Sequence, residues 1–437
     1  MKLFILSLLM FVSNCINGQA VYDLKYLIEE GLERNFSILI AKNNLEISEN
    51  NYTRGNAGML PSVDLSGRHN GSLTNSQNNL TNGSTESNTG IFNTTNNASV
   101  SLSLNIFNGF NAVTTYKKLS ELTMLGQLNT QLNIENLIAD IVTGYYNYIL
   151  QVQLLKNLRY ALSLSHERLR IDQQRYLLGS GSKLEVLQSQ VYVNTDSSAL
   201  SRQAETVKHS MIRLNELIAL DDLAADFTSQ DTIIIVDPGL LFDNLSIETS
   251  EKNTNLLIAS ANRIISDYDY KITMSRSYPY VNFSGGYNQN FNTFSDSPSR
   301  SVYSNGINYG MTLGISLFDG FNQRRNIRNA EISRENSDLR FREIEQGIRA
   351  DLLNLFSAYS NNLRLISLEE QNLETASENN YIAIERYRLG SLSGIELREV
   401  QLSLLNANER LVSAQYQTKL AEVSLNLISG NIMKYYQ

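Results

Sequence analysis

The residues best placed to do chemistry lie in one run near the C-terminus, between Tyr387 and Glu399. Glu396 and Glu399 are three positions apart, so in a helix both carboxylates lie on one face. Carboxylates brought close together raise one another's pKa values and attract cations. The alternative is an ordinary solvated helix face, where glutamate is common.

Other kinds of chemistry have little support in the sequence. The chain has only three His and one Cys, which argues against a His/Cys metal site or a thiol enzyme. The run Gly179–Lys183 lacks the glycine spacing of a phosphate loop, and no predicted strand precedes it. No HExxH motif or nucleophile elbow occurs. We therefore predict a protein that is not an enzyme and needs no cofactor. A net charge of -8 also argues against a nucleic-acid partner.

The first residues have the layout of a secretory signal peptide. A positive start is followed by a mostly apolar run over Leu3–Val12, too short to span a bilayer, and then by small polar residues. We predict a signal peptide over residues 1–18, cleaved after Gly18. The alternative makes Cys15 a lipidated N-terminus, for which Asn14 is an unfavourable neighbour.

The sequence contains a long internal repeat, about 210 residues apart. Three pairs of segments align: Pro61–Gly67 with Pro279–Gly285, Phe107–Asn111 with Phe318–Asn322, and Arg175–Ser180 with Arg386–Ser391. A spacing of this size indicates duplication of a whole unit. The predicted organisation is a first repeat over 19–220, a linker over 221–245 and a second repeat over 246–437.

Each repeat contains strand-like alternation of apolar and polar residues. It is clearest in residues 99–106 and 307–317, where every second residue is apolar. A period of two predicts one apolar and one polar face. A length of about 10 residues suits a tilted membrane strand, although a soluble sandwich with one wet face is the alternative. The polar segments 70–97 and 289–304 are expected to be loops.

The rest of each repeat has the three-to-four-residue spacing of a helix. Apolar residues follow this spacing from Leu137 to Leu162 and from Ile348 to Leu373. We predict helices over 111–177 and 322–388, each about 100 Å long. Gly179 and Gly390 are expected to end them. A second long helix then returns from about 184 and from about 395, so each repeat contains a helical hairpin.

These features together resemble the TolC family of outer-membrane efflux proteins. The resemblance covers nearly the whole mature chain, and each mark occurs twice, in order and at matched spacing. The marks are the helices at Asn35 and Asn253, Leu60-Pro61 opening a strand, the Phe-Asn/Asp-Gly-Phe motifs at 107–110 and 318–321, and Arg-Tyr-x-x-Gly-Ser at 175–180 and 386–391. The implied fold is an α+β membrane protein, a trimer whose outer-membrane β-barrel continues into a long periplasmic α-helical barrel.

Counting strands supports the trimer. Four strands per chain cannot close a barrel, because bacterial outer-membrane barrels begin at about eight strands. Three chains would supply a 12-stranded barrel. Its polar strand faces would line a wet pore, and its apolar faces would meet lipid.

The resemblance also implies roles for the helical tips. Glu396 and Glu399 match the acidic ring that narrows the periplasmic entrance in this family, Tyr387 matches a tyrosine of that gate, and Glu185 is the equivalent of Glu396 in the first repeat. Leu392 stands where the best-known member has a gate arginine, which puts that ion-pair lock in doubt here. The residues implied in docking a periplasmic adaptor are Gly179, Ser180, Leu184, Gly390, Ser391 and Ile395.

The implied function is an exit duct in the outer membrane of a Gram-negative bacterium, extending into the periplasm. Such a duct would serve a tripartite efflux or type I secretion system and conduct substrates passively from an inner-membrane pump and its periplasmic adaptor (membrane fusion protein). The expected partners are two further copies of the chain, the adaptor, the pump and outer-membrane lipid. The alternative is a trimeric structural or adhesive stalk that conducts nothing.

Overall fold

The computed structural model describes residues 20–436, so the predicted signal peptide over 1–18, with Cys15, lies outside the described residues. The helices are α1 (Leu24–Arg34), α2 (Phe36–Asn51), α3 (Asn111–Leu177), α4 (Lys183–Leu217), α5 (Phe242–Lys252), α6 (Thr254–Ser275), α7 (Asn322–Arg388) and α8 (Gly394–Ile428). The strands are β1 (Ala20–Tyr22), β2 (Ser62–Asn79), β3 (Thr85–Asn108), β4 (Phe227–Ser229), β5 (Tyr280–Phe294) and β6 (Ser301–Gly314).

The two halves of the chain contain the same series of elements. The order α1, α2, β2, β3, α3, α4 recurs as α5, α6, β5, β6, α7, α8. Helices α3 and α7 are each 67 residues long and have the bounds that the apolar spacing predicts. The two internal repeats are therefore confirmed as structural repeats.

The chain forms two compact units, and each unit takes segments from both repeats. The helical unit contains residues 20–43, 128–258 and 342–436, and the sheet unit contains residues 44–127 and 259–341. The linker over 221–245 contributes β4 to the helical unit, where β4 pairs in parallel with β1. The division into repeats over 19–220 and 246–437 remains a proposal about how the gene was duplicated.

The sheet unit is built on one antiparallel sheet in the order β2-β3-β5-β6. Directly paired residues lie on the same face of such a sheet. One face is apolar on all four strands, and the other carries mainly Ser, Asn and Gly. The apolar rows are Leu65, Val100, Tyr287 and Ile307; Val63, Leu102, Gly285 and Tyr309; Leu104, Phe283 and Met311; and Phe107, Val281 and Leu313.

The prediction that residues 70–97 and 289–304 are loops is wrong. β2 and β3 pair as far as Asn79 and Thr85, and β5 and β6 pair as far as Thr293 and Ser301. Polar side chains reinforce these extensions across the strands, as in the Asn97 Nδ2 to Asn290 Oδ1 bond of 2.6 Å. Asn, Ser and Thr favour turns when isolated, but here the ladder satisfies their backbone groups and the sheet persists.

The buried core of the helical unit is also duplicated between the two repeats. Tyr145 and Leu214 are fully buried where α3 meets α4. In the second repeat Leu352, Tyr359 and Leu425 form the corresponding cluster between α7 and α8. The same packing therefore holds both long helices against their returning partners.

One asparagine in each repeat joins three helices. Asn35 separates α1 from α2, and Asn253 separates α5 from α6. The Asn253 side chain accepts a bond from the Leu256 amide at 3.0 Å and donates to the Ile428 carbonyl at 2.8 Å, at the end of α8. Asn35 donates in the same way to the Leu217 carbonyl at the end of α4. A single amide thus caps one helix start and one helix end.

We expect Asn253→Ala to lower the free energy of unfolding by about 1–3 kcal/mol, because it removes the side-chain partner of a partly buried amide and of a partly buried carbonyl. The control is Asn255→Ala, at an exposed neighbouring position. Denaturant titration of the detergent-solubilised protein measures both. Equal stability of the two variants would show that the Asn253 amide does not hold this junction.

Candidate functional site

The candidate site lies at the two turns that join the long helices to their returning partners. Gly179 and Gly390 adopt φ values of 75° and 79°, a left-handed conformation that glycine adopts without steric cost. The Ser391 amide donates to the Arg386 carbonyl at 2.9 Å, and Ser180 repeats this bond with Arg175. Both glycines therefore end their helices as predicted.

Each returning helix begins with a capping box. The Ser393 hydroxyl accepts from the Glu396 amide at 3.3 Å, and the Glu396 carboxylate accepts from the Ser393 amide at 2.9 Å. Ser182 and Glu185 make the same pair of bonds at the start of α4. The bond from the Ser393 amide lowers the pKa of Glu396, so its carboxylate is held charged.

The turns also expose apolar side chains. Leu184 is 73% exposed and Ile395 72% exposed, at equivalent positions after the two turns. Leu178 and Leu389, each 83% exposed, stand just before them. Gly179, Ser180, Gly390 and Ser391 lie between these side chains and are exposed too. Each tip therefore presents a small-residue turn flanked by two apolar side chains.

Tyr387 is buried and ties α7 to α3. Its hydroxyl donates a short hydrogen bond to the Asp172 carboxylate, and its backbone carbonyl accepts a hydrogen bond from Arg175. The Arg175 guanidinium also stacks 4.6 Å from the centre of the Tyr387 ring. Burial, followed by the bond to Asp172, raises the pKa of Tyr387 to about 12, so the hydroxyl remains a donor at physiological pH.

Asp172 is the centre of this cluster. It accepts a short hydrogen bond from the Ser189 hydroxyl on α4 and lies 3.7 Å from Arg168 Nε. Arg168 is 4% exposed, and its Nε and Nη1 have no hydrogen-bond partner among the described residues. One carboxylate thus connects α3, α4 and α7 just above the turns.

A second buried ion pair lies beside the first. Arg398 on α8 donates to both oxygens of Asp196 on α4, at 2.9 and 2.7 Å. The Ser165 hydroxyl on α3 also donates to Asp196. The guanidiniums of Arg168 and Arg398 lie 4.8 and 5.0 Å from the centre of the Tyr192 ring. We call these residues the tip cluster: Ser165, Arg168, Asp172, Ser189, Tyr192, Asp196, Tyr387 and Arg398.

The structure gives the predicted gate residues different surroundings. Tyr387 is inside the tip cluster, whereas Glu185 and Glu396 are exposed capping residues. Glu399 is exposed and lines a cleft of about 430 Å³ that reaches Tyr192 and Arg398. Within one chain the acidic residues and the tyrosine therefore do not form a single group.

Sequence reasoning missed Asp172, Asp196 and their arginines. A usable signal exists, because each Asp occupies an apolar position in the helical spacing. Leu162, Ser165, Leu169 and Asp172 are spaced three, four and three residues apart, and Val186, Ser189, Val193 and Asp196 have the same spacing. A charged residue in such a stripe indicates a buried partner on a neighbouring helix.

Comparison with solved structures identifies the fold as that of outer-membrane channels. The crystal structure of CusC matches with a TM-score of 0.76 at 15% identity, over 94% of this chain and 93% of CusC. VceC from Vibrio cholerae matches with a TM-score of 0.76 at 16% identity, over 93% and 96%. The Campylobacter jejuni CmeC outer membrane channel matches with a TM-score of 0.77 at 14% identity, over 93% and 85%.

The chain belongs to the outer membrane efflux protein family, whose model matches residues 27–220 and 245–431. The predicted family and the outer-membrane location are confirmed by this match. No curated protein sequence matches the chain. Among residues 20–436, no helix is both long and apolar enough to cross a membrane. Over the same residues, no group of three or more His, Cys, Asp or Glu side chains could hold a metal ion.

The Glu396 capping bond should depend on pH in a defined direction. Because the folded-state pKa lies below the usual 4.5, the bond contributes stability above that value and loses it as the pH falls through the lowered pKa. We expect the hydrogen-exchange protection of the Ser393 amide to stay constant from neutral pH down to about 5 and then to fall. Glu396→Gln should keep the cap and lose the pH step.

The matched control for this measurement is Glu409→Gln, an exposed glutamate further along the same helix. That variant should retain the pH step of the unaltered protein. A step at neutral pH, or one that survives in Glu396→Gln, would mean that another group controls the start of α8.

Proposed function

We propose that the protein is the outer-membrane exit duct of a tripartite efflux or type I secretion system. Three copies would close a 12-stranded barrel, with the polar strand faces lining a wet pore. The observation that supports this most strongly is the four-stranded sheet, which is apolar on one face, polar on the other and, among residues 20–436, unpaired at both edges. Substrates would pass from an inner-membrane pump and a periplasmic adaptor to the outside.

Transport through such a duct needs no catalytic group in this chain. The pump supplies the energy, and the duct supplies an aqueous path and a closure at its periplasmic end. No cofactor or resident metal enters the proposal. The helical barrel would extend into the periplasm, so that the turns at Gly179 and Gly390 would face the adaptor.

The tip cluster is the proposed latch of the closed state. Tyr387 and Asp172 connect helices of different repeats within one chain, so separating those helices must break a buried hydrogen bond. Removing one partner leaves the other buried and unsatisfied, at a cost of about 1–3 kcal/mol. The carboxylates of Glu185, Glu396 and Glu399 would lie near the three-fold axis as charged rings.

We expect Tyr387→Phe to raise the single-channel conductance or open probability, because the variant keeps the ring and removes the bond to Asp172. The control is Tyr176→Phe, the equivalent tyrosine of the first repeat, which is 44% exposed. Planar-bilayer recording measures both variants. If Tyr387→Phe conducts like the unaltered protein, the cluster is structural only. If neither protein conducts, the non-conducting stalk is the better description.

Charged rings would make the pore cation-selective. We expect Glu396→Gln with Glu399→Gln to reduce the cation preference and the block by divalent ions from the periplasmic side. Glutamine can replace glutamate in the capping box, so the helix start should survive. The matched control is Glu409→Gln. Unchanged selectivity and block in the double variant would show that these carboxylates do not line the pore.

The exposed apolar side chains at the turns are the proposed adaptor contacts. We expect Leu184→Ser with Ile395→Ser to weaken adaptor binding roughly tenfold or more, because two apolar side chains are lost from the interface. The control pair is Val191→Ser with Leu368→Ser, exposed elsewhere on the long helices. Affinity for the purified adaptor and export from cells are the two measurements. Equal effects of both pairs would contradict docking at the turns.

A further inference from the structure

The end of the sheet nearest the long helices exposes a cluster of apolar and aromatic side chains. Phe318 and Phe321 contact each other edge to face at 5.3 Å, yet they are 73% and 67% exposed. Leu317 is 90% exposed and Phe110 62% exposed. They follow directly on the apolar face, which at this end reaches Leu313 on β6. Large exposed apolar groups of this kind mark a surface that another phase or molecule covers.

Cationic side chains gather at the same end. Each strand end here has an exposed Lys or Arg within ten residues along the chain, and we call this set the basic belt: Arg54, Lys117, Arg276, Arg324 and Arg325. The chain as a whole has a net charge of -8, so a local excess of positive charge is opposite in sign to the charge of the whole protein. Positive charge thus lies at the same end of the sheet as the exposed aromatic rings.

The belt has few carboxylates to neutralise it. Lys118 and Arg328, which also lie in this region, are paired with Asp269 and Glu331. Within residues 20–436, no carboxylate lies within ion-pair distance of Lys117, Arg276 or Arg324. The nearby Asp319 accepts a 2.7 Å hydrogen bond from the Gln323 amide and so caps α7. Unpaired cations on a protein surface leave a site for an external anion.

We propose that the basic belt binds the phosphate groups of anionic phospholipids in the inner leaflet of the outer membrane. Aromatic rings at the headgroup level beside Lys and Arg are the usual anchors of a membrane protein at its interface. Each cation near an anionic surface adds to the attraction, which salt screens. The apolar face comes first, then the aromatic rings and then the cations. A membrane leaflet has the same order, from hydrocarbon through the interface to the headgroup phosphates.

Arg324 and Arg325 are the residues to alter. They lie in the first turn of α7 and are exposed, and neither forms an ion pair among residues 20–436. Arg325 donates a 3.5 Å hydrogen bond to its neighbour Asn326. The test variant is Arg324→Gln with Arg325→Gln. The control is Arg340→Gln with Arg349→Gln, two exposed arginines further along the same helix. A second variant, Arg324→Lys with Arg325→Lys, keeps the charge.

The experiment reconstitutes the full protein into vesicles of phosphatidylcholine with phosphatidylglycerol and measures which lipid remains bound on extraction by native mass spectrometry. We expect enrichment of phosphatidylglycerol, lost at high salt. The Gln variant should reduce it about tenfold, whereas the Lys and control variants should retain it.

Three outcomes would overturn the proposal. Equal retention of both lipids by the unaltered protein would mean that the belt has no lipid preference. Full displacement of phosphatidylglycerol by inorganic phosphate would indicate a soluble-anion site instead. If the Gln variant kept its lipid but changed its oligomeric mass, the belt would be an interface between copies of the chain. Because conductance is not the measurement, failure here leaves the proposed duct intact.

Discussion

The constraint on which the structure depends is the pair of open sheet edges. β2 and β6 each present a row of backbone N–H and C=O groups that have no partner among residues 20–436. Within a bilayer such groups must be satisfied, because hydrocarbon offers no alternative hydrogen bond. The apolar face of the same sheet forbids simple exposure to water. The proposed closure with other copies would solve both problems, and the need for it arises from the backbone rather than from any single side chain.

In the helical unit, buried ion pairs fix the register of the long helices. Its long helices pack through apolar clusters such as Leu352 with Leu425, and apolar burial is non-directional, so it does not by itself exclude small shifts along the helix axis. Buried ion pairs do not tolerate such shifts, since a displaced carboxylate loses its partner. The tip cluster lies next to the turns, where Arg398 donates two hydrogen bonds to the Asp196 carboxylate. Its position gives the far end of each hairpin a defined register.

Much of the fold was predictable because it depends on local signals. Helix bounds at Leu177 and Arg388 followed from spacing and from the glycines that end them. The strand extension over 70–79 was not predictable, because the segment is rich in Asn, Gly and Ser, which favour turns, and only cross-strand pairing offsets that preference. The burial of Asp172 was not predictable, because it depends on contacts with α4 and α7, which are separate elements of the chain. Glu396 was assigned to a gate by resemblance, whereas its capping role required the geometry of the helix start.

The most direct test of the account is the mass of the detergent-solubilised protein, measured by light scattering with correction for bound detergent. We expect three chains per particle, because three four-stranded sheets would close a 12-stranded barrel and pair the edges of β2 and β6. Each chain contributes 49.2 kDa before removal of any signal peptide. A folded, stable particle of one chain, with both sheet edges protected from hydrogen exchange, would contradict the account.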